Sequence, residues 1–231
     1  MIVTPRFVFL HLHKSGGTFV NECLMKFVPD ARHMGYHLPR SMIPPEQAAL
    51  PVLGFVRNPW SFYVSWYSFQ LKRPNPNFLF RIISDDGRLD FADTLRNLLD
   101  LGAGSIRLDL VLRALPDSYS NQGLNLPRFA LAPIRDTQLG FYTYLYRYLY
   151  AGGERPVTVG RLEELRDDLI PMLERVSQPV SDEMRRYIET ESPRNTSDHI
   201  GYTDYYDETL RDLVARRDAE VVHRHGYRFG S

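Results

Sequence analysis

Short apolar runs followed by a turn and a longer amphipathic segment recur along this chain of 231 residues. The runs indicate buried strands and the segments after them indicate helices, because their apolar positions follow the helical period. The predicted order is strand 7–12, helix 18–27, strand 51–56, helix 60–71, strand 156–160 and helix 162–176. Such alternation is typical of an α/β protein with three layers, in which helices flank a central, mostly parallel sheet.

Four further segments complete this prediction. The tyrosine-rich run 141–150 fits a strand by alternation, but its apolar face and the glycines that follow favour a helix. Residues 205–225 predict one long terminal helix with charges on its outer face. Segments 73–77 and 117–133 are rich in Pro, Asn and Gly and predict loops. We expect one domain, 1–231, in which about 73–135 form an insertion on the substrate side.

Composition narrows the functional classes. Lys and Arg number 28 and so do Asp and Glu, so no global field attracts nucleic acid or an acidic membrane. Cys23 is the single cysteine of the chain, which excludes an internal disulfide and favours a reducing compartment. Apolar runs stay well below the roughly 18–20 residues of a membrane span, and no signal-peptide pattern is present. We therefore expect a cytoplasmic protein without nucleic-acid or membrane partners.

The segment His13-Lys14-Ser15-Gly16-Gly17-Thr18-Phe19 directly follows the first predicted strand. A glycine turn between a strand and a helix directs backbone N–H groups and a positive helix dipole toward one point. Lys14 adds a full charge, and Ser15 and Thr18 add hydroxyl donors. The pattern predicts a cradle for a phosphate or sulfate, although glycine and serine are also ordinary turn residues.

This turn differs from a Walker A loop. That motif places its lysine after the glycines and a hydroxyl next to the lysine for Mg²⁺. Here Lys14 precedes both glycines and the loop is shorter. Hydrolysis of ATP or GTP therefore has little support in the sequence.

A second anion-binding pattern starts at Arg57, at the carboxyl end of the second predicted strand. Pro59 then suits the first position of a helix, and Ser65 lies about two turns into it. Arg57 and Ser65 are expected to converge on one anion, because a guanidinium binds two phosphate oxygens at once. The alternative is that Arg57 pairs with a carboxylate and Ser65 only packs.

Together these motifs resemble the sulfotransferases that use 3′-phosphoadenosine 5′-phosphosulfate (PAPS). Lys14-Ser15-Gly16-Gly17-Thr18 is similar to the family's 5′-phosphosulfate loop, and Arg57 with Ser65, in R-N-P-x₅-S-x-Y, is similar to its 3′-phosphate site. Weaker likenesses occur at 159–165 and in the tail, 203–229. The K-[ST]-G-G-T form is closer to the carbohydrate and bacterial branch, whereas His13 replaces a common proline. Segment 73–135 is not covered.

The resemblance implies a P-loop-like fold and sulfuryl transfer from PAPS to an acceptor hydroxyl, for example on a carbohydrate or small molecule, without a metal. It implies cofactor contacts by Lys14, Ser15, Gly16, Gly17, Thr18, Phe19, Arg57 and Ser65, with Lys14 also stabilising the leaving oxygen. Arg194 and Ser197 lie where family members close over the cofactor, and they are expected either to contact the 3′-phosphate or to form a solvated loop. The resemblance leaves the oligomeric state and the acceptor open.

His37 is the predicted general base. Family members of the uronyl type carry a histidine in a similar place, and imidazole titrates near neutrality. His33 is the reserve candidate, and Glu22 and Glu46 remain alternatives because other branches use glutamate. His11 and His13 are expected to face opposite sides of a strand and therefore not to pair.

Two other functional classes stay open at this point. A P-loop-like nucleotide kinase or phosphotransferase would need Mg²⁺ and a carboxylate at a strand end, and none stands out. A catalytically silent module that retains PAPS or its desulfated product would keep the same motifs without turnover.

Overall fold

The computed structural model describes residues 1–102, 104–121, 123–192 and 201–231. Within these ranges the strands are β1 Ile2–Val3, β2 Val8–Leu10, β3 Arg32–His33, β4 Val52–Val56 and β5 Thr158–Arg161. The helices are α1 Gly17–Phe27, α2 Pro59–Leu71, α3 Phe78–Ile83, α4 Phe91–Leu99, α5 Ile106–Ala114, α6 Arg128–Leu131, α7 Phe141–Tyr150, α8 Leu165–Arg175, α9 Asp182–Thr190, α10 Glu208–Arg217 and α11 Ala219–Arg224.

The five strands form one mixed sheet in the order β3-β1-β2-β4-β5. The central strands β2, β4 and β5 are parallel, and β1 pairs antiparallel with both β2 and β3. Leu10 pairs with Gly54, and Val56 pairs with Arg161, so the carboxyl ends of the three parallel strands share one edge. Ligands of α/β sheets bind outside this edge.

Helices cover both faces of this sheet, which confirms the predicted α/β class. On one face Phe9 and Leu53 pack with α1, α8 and α9 in an apolar core that also contains Cys23. On the other face the ring of Tyr150, the last residue of α7, lies against Gly54, and its hydroxyl donates to the Phe55 carbonyl at 2.9 Å.

The chain groups into two compact units, 1–57 with 147–196 and 58–146 with 197–231. The first unit contains the whole sheet. The second is helical among the described residues, and it includes α3, α4, α5 and α6 between 73 and 135. The single-domain organisation and the role of 73–135 as an insertion stay predictions.

Helix α2 begins the second unit with an asparagine cap. Asn58 is fully buried, and its side-chain oxygen accepts from the Trp60 N–H at 3.1 Å. Its amide nitrogen donates to the carbonyl oxygens of Arg228 and Ser231 at 3.0 and 3.3 Å. Asn58 therefore ties the chain terminus to the start of α2.

The prediction of one terminal helix over 205–225 is wrong. A 3-10 turn at Tyr202–Tyr205 is followed by α10 and α11, with Asp218 between them. Asp218 is fully buried; its carboxylate accepts from the Tyr63 hydroxyl at 2.7 Å and from the Thr143 N–H at 2.8 Å. It thereby caps α7 from another part of the chain, and this tertiary contact interrupts the helical run.

The remaining predictions of secondary structure have mixed outcomes. The run 141–150 is a helix, and its Tyr142, Tyr144, Tyr146 and Tyr150 are buried. The predicted loop 117–133 contains the short helix α6, so it is only partly irregular. The strands β1 and β3 escape prediction, because two residues show no periodicity. None of the helices in the described ranges is both long and apolar enough to cross a membrane.

The buried carboxylate of Asp218 predicts a pH effect on stability. Burial raises its pKa to about 6 despite the hydrogen bonds from Tyr63 and Thr143. Because the folded pKa exceeds the ordinary value of 3.8, the stabilising contribution is full below about pH 4 and is lost as pH rises through about 6.

We expect the difference in unfolding free energy between the wild type and Asp218→Asn to fall by about 3 kcal/mol from pH 4 to 7, at about 1.36 kcal/mol per pKa unit. Asparagine suits the comparison because it can still accept from Thr143 and donate to the Tyr63 oxygen. Urea titrations at several pH values measure this difference. A difference that does not vary with pH contradicts the assignment.

Candidate active site

The turn between β2 and α1 has the backbone shape of an anion cradle. Lys14 and Gly16 both adopt positive φ, 56° and 78°. Gly16 is the N-cap of α1 and offers no side-chain hydrogen bond to the first turn, which also lacks acidic residues. The first N–H groups of α1 therefore suit a bound anion.

Two cations meet at this turn. A guanidinium nitrogen of Arg57, Nη1, donates to the carbonyl oxygen of Lys14 at 3.4 Å. Burial and then the nearby charge of Arg57 lower the pKa of Lys14 to about 8. Like charges at close range favour an anion between or beside them.

His37 is attached to the same turn. Its Nδ1 lies 2.9 Å from the carbonyl oxygen of His11, and since a carbonyl only accepts, Nδ1 carries the proton. In the neutral ring Nε2 is then the acceptor, as a general base requires. Burial, with smaller effects of His13 and His11, lowers the pKa of His37 well below its usual 6.5.

The prediction for His11 and His13 assumed that both lie on a strand, and this assumption is wrong. Strand β2 ends at Leu10, so strand alternation does not extend to these residues. The His13 ring stacks on His37 with centroids 3.6 Å apart, and the His11 ring lies 4.6 Å from His37. Both histidines therefore surround the predicted base.

The predicted cofactor residues occupy different environments. Ser15 is buried, and its hydroxyl donates to the His13 carbonyl at 3.2 Å. The Phe19 ring packs in the core beside Tyr187, and its backbone N–H belongs to the first turn of α1. Gly17 is buried, whereas Thr18 is half-buried in the first turn of α1.

The residues predicted to bind the 3′-phosphate lie in different parts of the chain. Ser65 is buried on α2 and belongs to the second compact unit, whereas Arg57 ends a segment of the first. Their convergence stays a prediction. Arg194 and Ser197 lie outside the described residues.

The alternative bases are all exposed. His33 lies on β3, with its ring centroid 4.6 Å from that of Tyr36. Glu22 projects from α1, and Glu46 lies in a 3-10 turn at Pro45–Gln47. Within the described ranges no three His, Cys, Asp or Glu side chains could hold a metal ion.

Comparisons with known proteins give no family assignment. No protein-family model matches, and no curated protein matches. Twelve chains of solved structures match. One is the crystal structure of mouse sulfotransferase SULT7A1 complexed with PAP, at 14% identity and a TM-score of 0.48, covering 96% of this chain and 88% of that chain. These values are too low to assign an activity to this chain.

Gly17 allows the turn to approach His11 closely. A Cβ atom at Gly17 would lie 1.9 Å from Cδ2 of His11, whose Nδ1 contacts the Asn21 amide at 3.3 Å. Gly17→Ala must displace this buried ring or the turn, and such overpacking costs about 1–3 kcal/mol.

We therefore expect Gly17→Ala to lower the melting temperature and to abolish anion binding at the turn, as measured by thermal melts with and without adenosine 3′,5′-bisphosphate. Gly102→Ala is the matched control, because a Cβ atom added at Gly102 would have no described atom within 4 Å. Equal stability of the two variants would show that the close approach is unimportant.

Proposed function

We propose that this chain is a sulfotransferase that moves the sulfuryl group of PAPS to an acceptor hydroxyl, for which we propose a carbohydrate. One observation carries the proposal: a single turn has the shape of an anion cradle and also contacts a neutral imidazole. Lys14 and Arg57 meet there, and His37 donates to His11 of the same turn. The sequence likeness to the PAPS-dependent family supports the same activity.

The proposed roles follow from charge and geometry. The acceptor oxygen attacks sulfur, the bond between sulfur and the 5′-phosphate oxygen breaks, and Nε2 of His37 takes the hydroxyl proton. Lys14 stabilises the charge that develops on the departing phosphate oxygen, and N–H groups of α1 stabilise the sulfuryl oxygens. The products are a sulfate ester, adenosine 3′,5′-bisphosphate and a proton.

The direct test is transfer of label from [³⁵S]PAPS to acceptors in a cell extract. Thermal melts with nucleotides then distinguish a sulfotransferase from a kinase and from a silent binding module. A ligand that binds only the folded state raises the melting temperature. Stabilisation by the bisphosphate together with transfer supports the proposal. A response to ATP–Mg²⁺ alone favours a kinase, and a response to the bisphosphate without transfer favours a silent module.

Lys14 predicts how nucleotide affinity depends on pH. Its pKa of about 8 in the free protein rises when an anion binds, so binding takes up a proton above about pH 8. We expect the dissociation constant of adenosine 3′,5′-bisphosphate, measured by calorimetry, to increase as pH rises through 8, by at most about tenfold per pH unit.

Lys14→Met should weaken binding roughly 10- to 100-fold at pH 7 and remove the pH dependence assigned to this group, since a charge-assisted hydrogen bond contributes about 1.5–3 kcal/mol. Lys26→Met, on the exposed end of the same helix, is the control and should bind normally. The role of Lys14 is refuted if both variants retain the wild-type profile.

His37 predicts a separation of binding from turnover. His37→Asn can keep the donor to His11 and tolerates the positive φ of 54°, but it lacks the basic nitrogen. We expect kcat to fall about 10²- to 10⁴-fold while affinity for the bisphosphate changes less than about twofold.

The pH profile of kcat gives a second readout. Because the pKa of His37 lies well below 6.5, the wild type should keep full activity down to that pH and lose it only in more acidic solution. His33→Asn is the control and should be nearly as active as the wild type. If His33→Asn loses the activity and His37→Asn retains it, the base is His33.

A further inference from the structure

The imidazole of His37 contacts the turn after β2 in two different ways. Its Nδ1 donates to the His11 carbonyl oxygen at 2.9 Å, and its ring stacks on the ring of His13, with centroids 3.6 Å apart and an angle of 15° between the planes. The second side-chain torsion of histidine is broad, so one hydrogen bond does not define the plane of the ring. The stacking contact restricts a rotation that the hydrogen bond leaves open.

His13 brings a flat side chain to this contact. The residue is buried and lies three positions after the end of β2. The Ser15 hydroxyl donates to the backbone carbonyl of His13, a contact that does not depend on the side chain at position 13. Proline, which is common at this position in the family that the sequence resembles, would supply no aromatic ring. The stack on His37 therefore depends on the histidine of this chain.

The backbone of His37 also requires support from its surroundings. Its φ of 54° is uncommon for a residue other than glycine, and such a conformation persists only where neighbouring contacts define it. His11 supplies one contact through its carbonyl and another through its ring, which is tilted by 59° with its centroid 4.6 Å from that of His37. The Asn21 amide nitrogen lies 3.3 Å from Nδ1 of His11 and orients that ring. The stack on His13 completes this set of contacts.

We propose that His13 is a positioning residue whose ring holds the imidazole of His37 in the plane that the reaction requires. The lone pair of Nε2 lies in the plane of the ring, so this plane decides where the base takes a proton. A flat ring at position 13 performs the role, and an aliphatic side chain does not. The inference rests on the proposed function, because it takes His37 to be the base.

The same contact affects the protonation of His37. Burial is the largest cause that lowers its pKa, and the charges of His13, His11 and the amino terminus of Met1 lower it further, whereas the hydrogen bond to the His11 carbonyl raises it. Tyr36 is a further titratable neighbour, with its ring centroid 6.2 Å away. A phenyl ring at position 13 would remove one repulsive charge and offer a π face to the imidazolium, so it should raise the pKa of His37.

NMR spectra of the full chain with ¹⁵N-labelled histidine report the tautomer and the pKa of His37 without turnover, and the spectrum of His37→Asn assigns its signals. His13→Phe keeps a flat ring, whereas His13→Leu and His13→Ala lack one. His223→Ala removes an exposed histidine on α11 and is the control. We expect the proton to stay on Nδ1 in the wild type, the control and His13→Phe, with a higher pKa in His13→Phe. Both tautomers should be populated in the variants without a ring.

Turnover is measured with PAPS and the acceptor that the wild type labels in the cell extract. We expect His13→Leu and His13→Ala to lower kcat about 10- to 100-fold, because a small misplacement of a catalytic group has effects of this size, while the Kd of adenosine 3′,5′-bisphosphate changes less than about twofold. His13→Phe should retain most of the kcat at pH 8 and lose it at a higher pH than the wild type on acidification.

Three results overturn the proposal. The first is that the variants without a ring keep His37 entirely in the Nδ1 tautomer or keep the wild-type kcat. The second is that His13→Phe loses as much kcat as His13→Leu. The third is a weaker affinity of His13→Leu and His13→Ala for the bisphosphate, which would assign His13 to the structure of the turn. If the wild type labels no acceptor, the proposed function fails, and the tautomer of His37 alone then decides whether His13 orients its ring.

Discussion

The hydrogen bond from the Arg57 guanidinium to the Lys14 carbonyl is the contact on which the candidate site depends. It places the Arg57 guanidinium against the backbone of Lys14, which itself adopts positive φ in this turn. Burial and this neighbouring charge together weaken the hold of Lys14 on its proton. Both effects favour the neutral amine, and a nearby anion would favour the charged form instead.

The same turn also fixes the tautomer of His37. A backbone carbonyl, unlike a carboxylate, fixes the tautomer of a histidine without adding a charge that would raise its pKa. The stacked ring of His13 limits the movement of His37 and disfavours its protonation. One segment of six residues, 11–16, therefore contacts the ring of His37 and also contains the turn that we propose as an anion cradle.

Strands and helices with a clear hydrophobic pattern can be predicted from this sequence. Contacts between residues that are distant in the sequence cannot. Apolar runs predict the strands β2, β4 and β5, and the two glycines after the first run predict the turn. The histidine cluster does not, because strand alternation stops at the end of β2 and no longer decides where His11 and His13 point. The break at Asp218 arises from Tyr63, which is 155 residues away, and no local pattern carries that information.

Asp218 shows how this fold accommodates a buried carboxyl group. Asp218 receives hydrogen bonds from Tyr63 and Thr143, so its carboxylate connects α7, α2 and the terminal helices of one unit. Burial nevertheless raises the pKa of Asp218 to about 6, so the fold stabilises the neutral carboxyl group more than the carboxylate. The hydrogen bonds from Tyr63 and Thr143 offset only part of the desolvation. They join segments that lie far apart in the sequence, and Asp218 therefore contributes to the specificity of the fold more than to its stability at neutral pH.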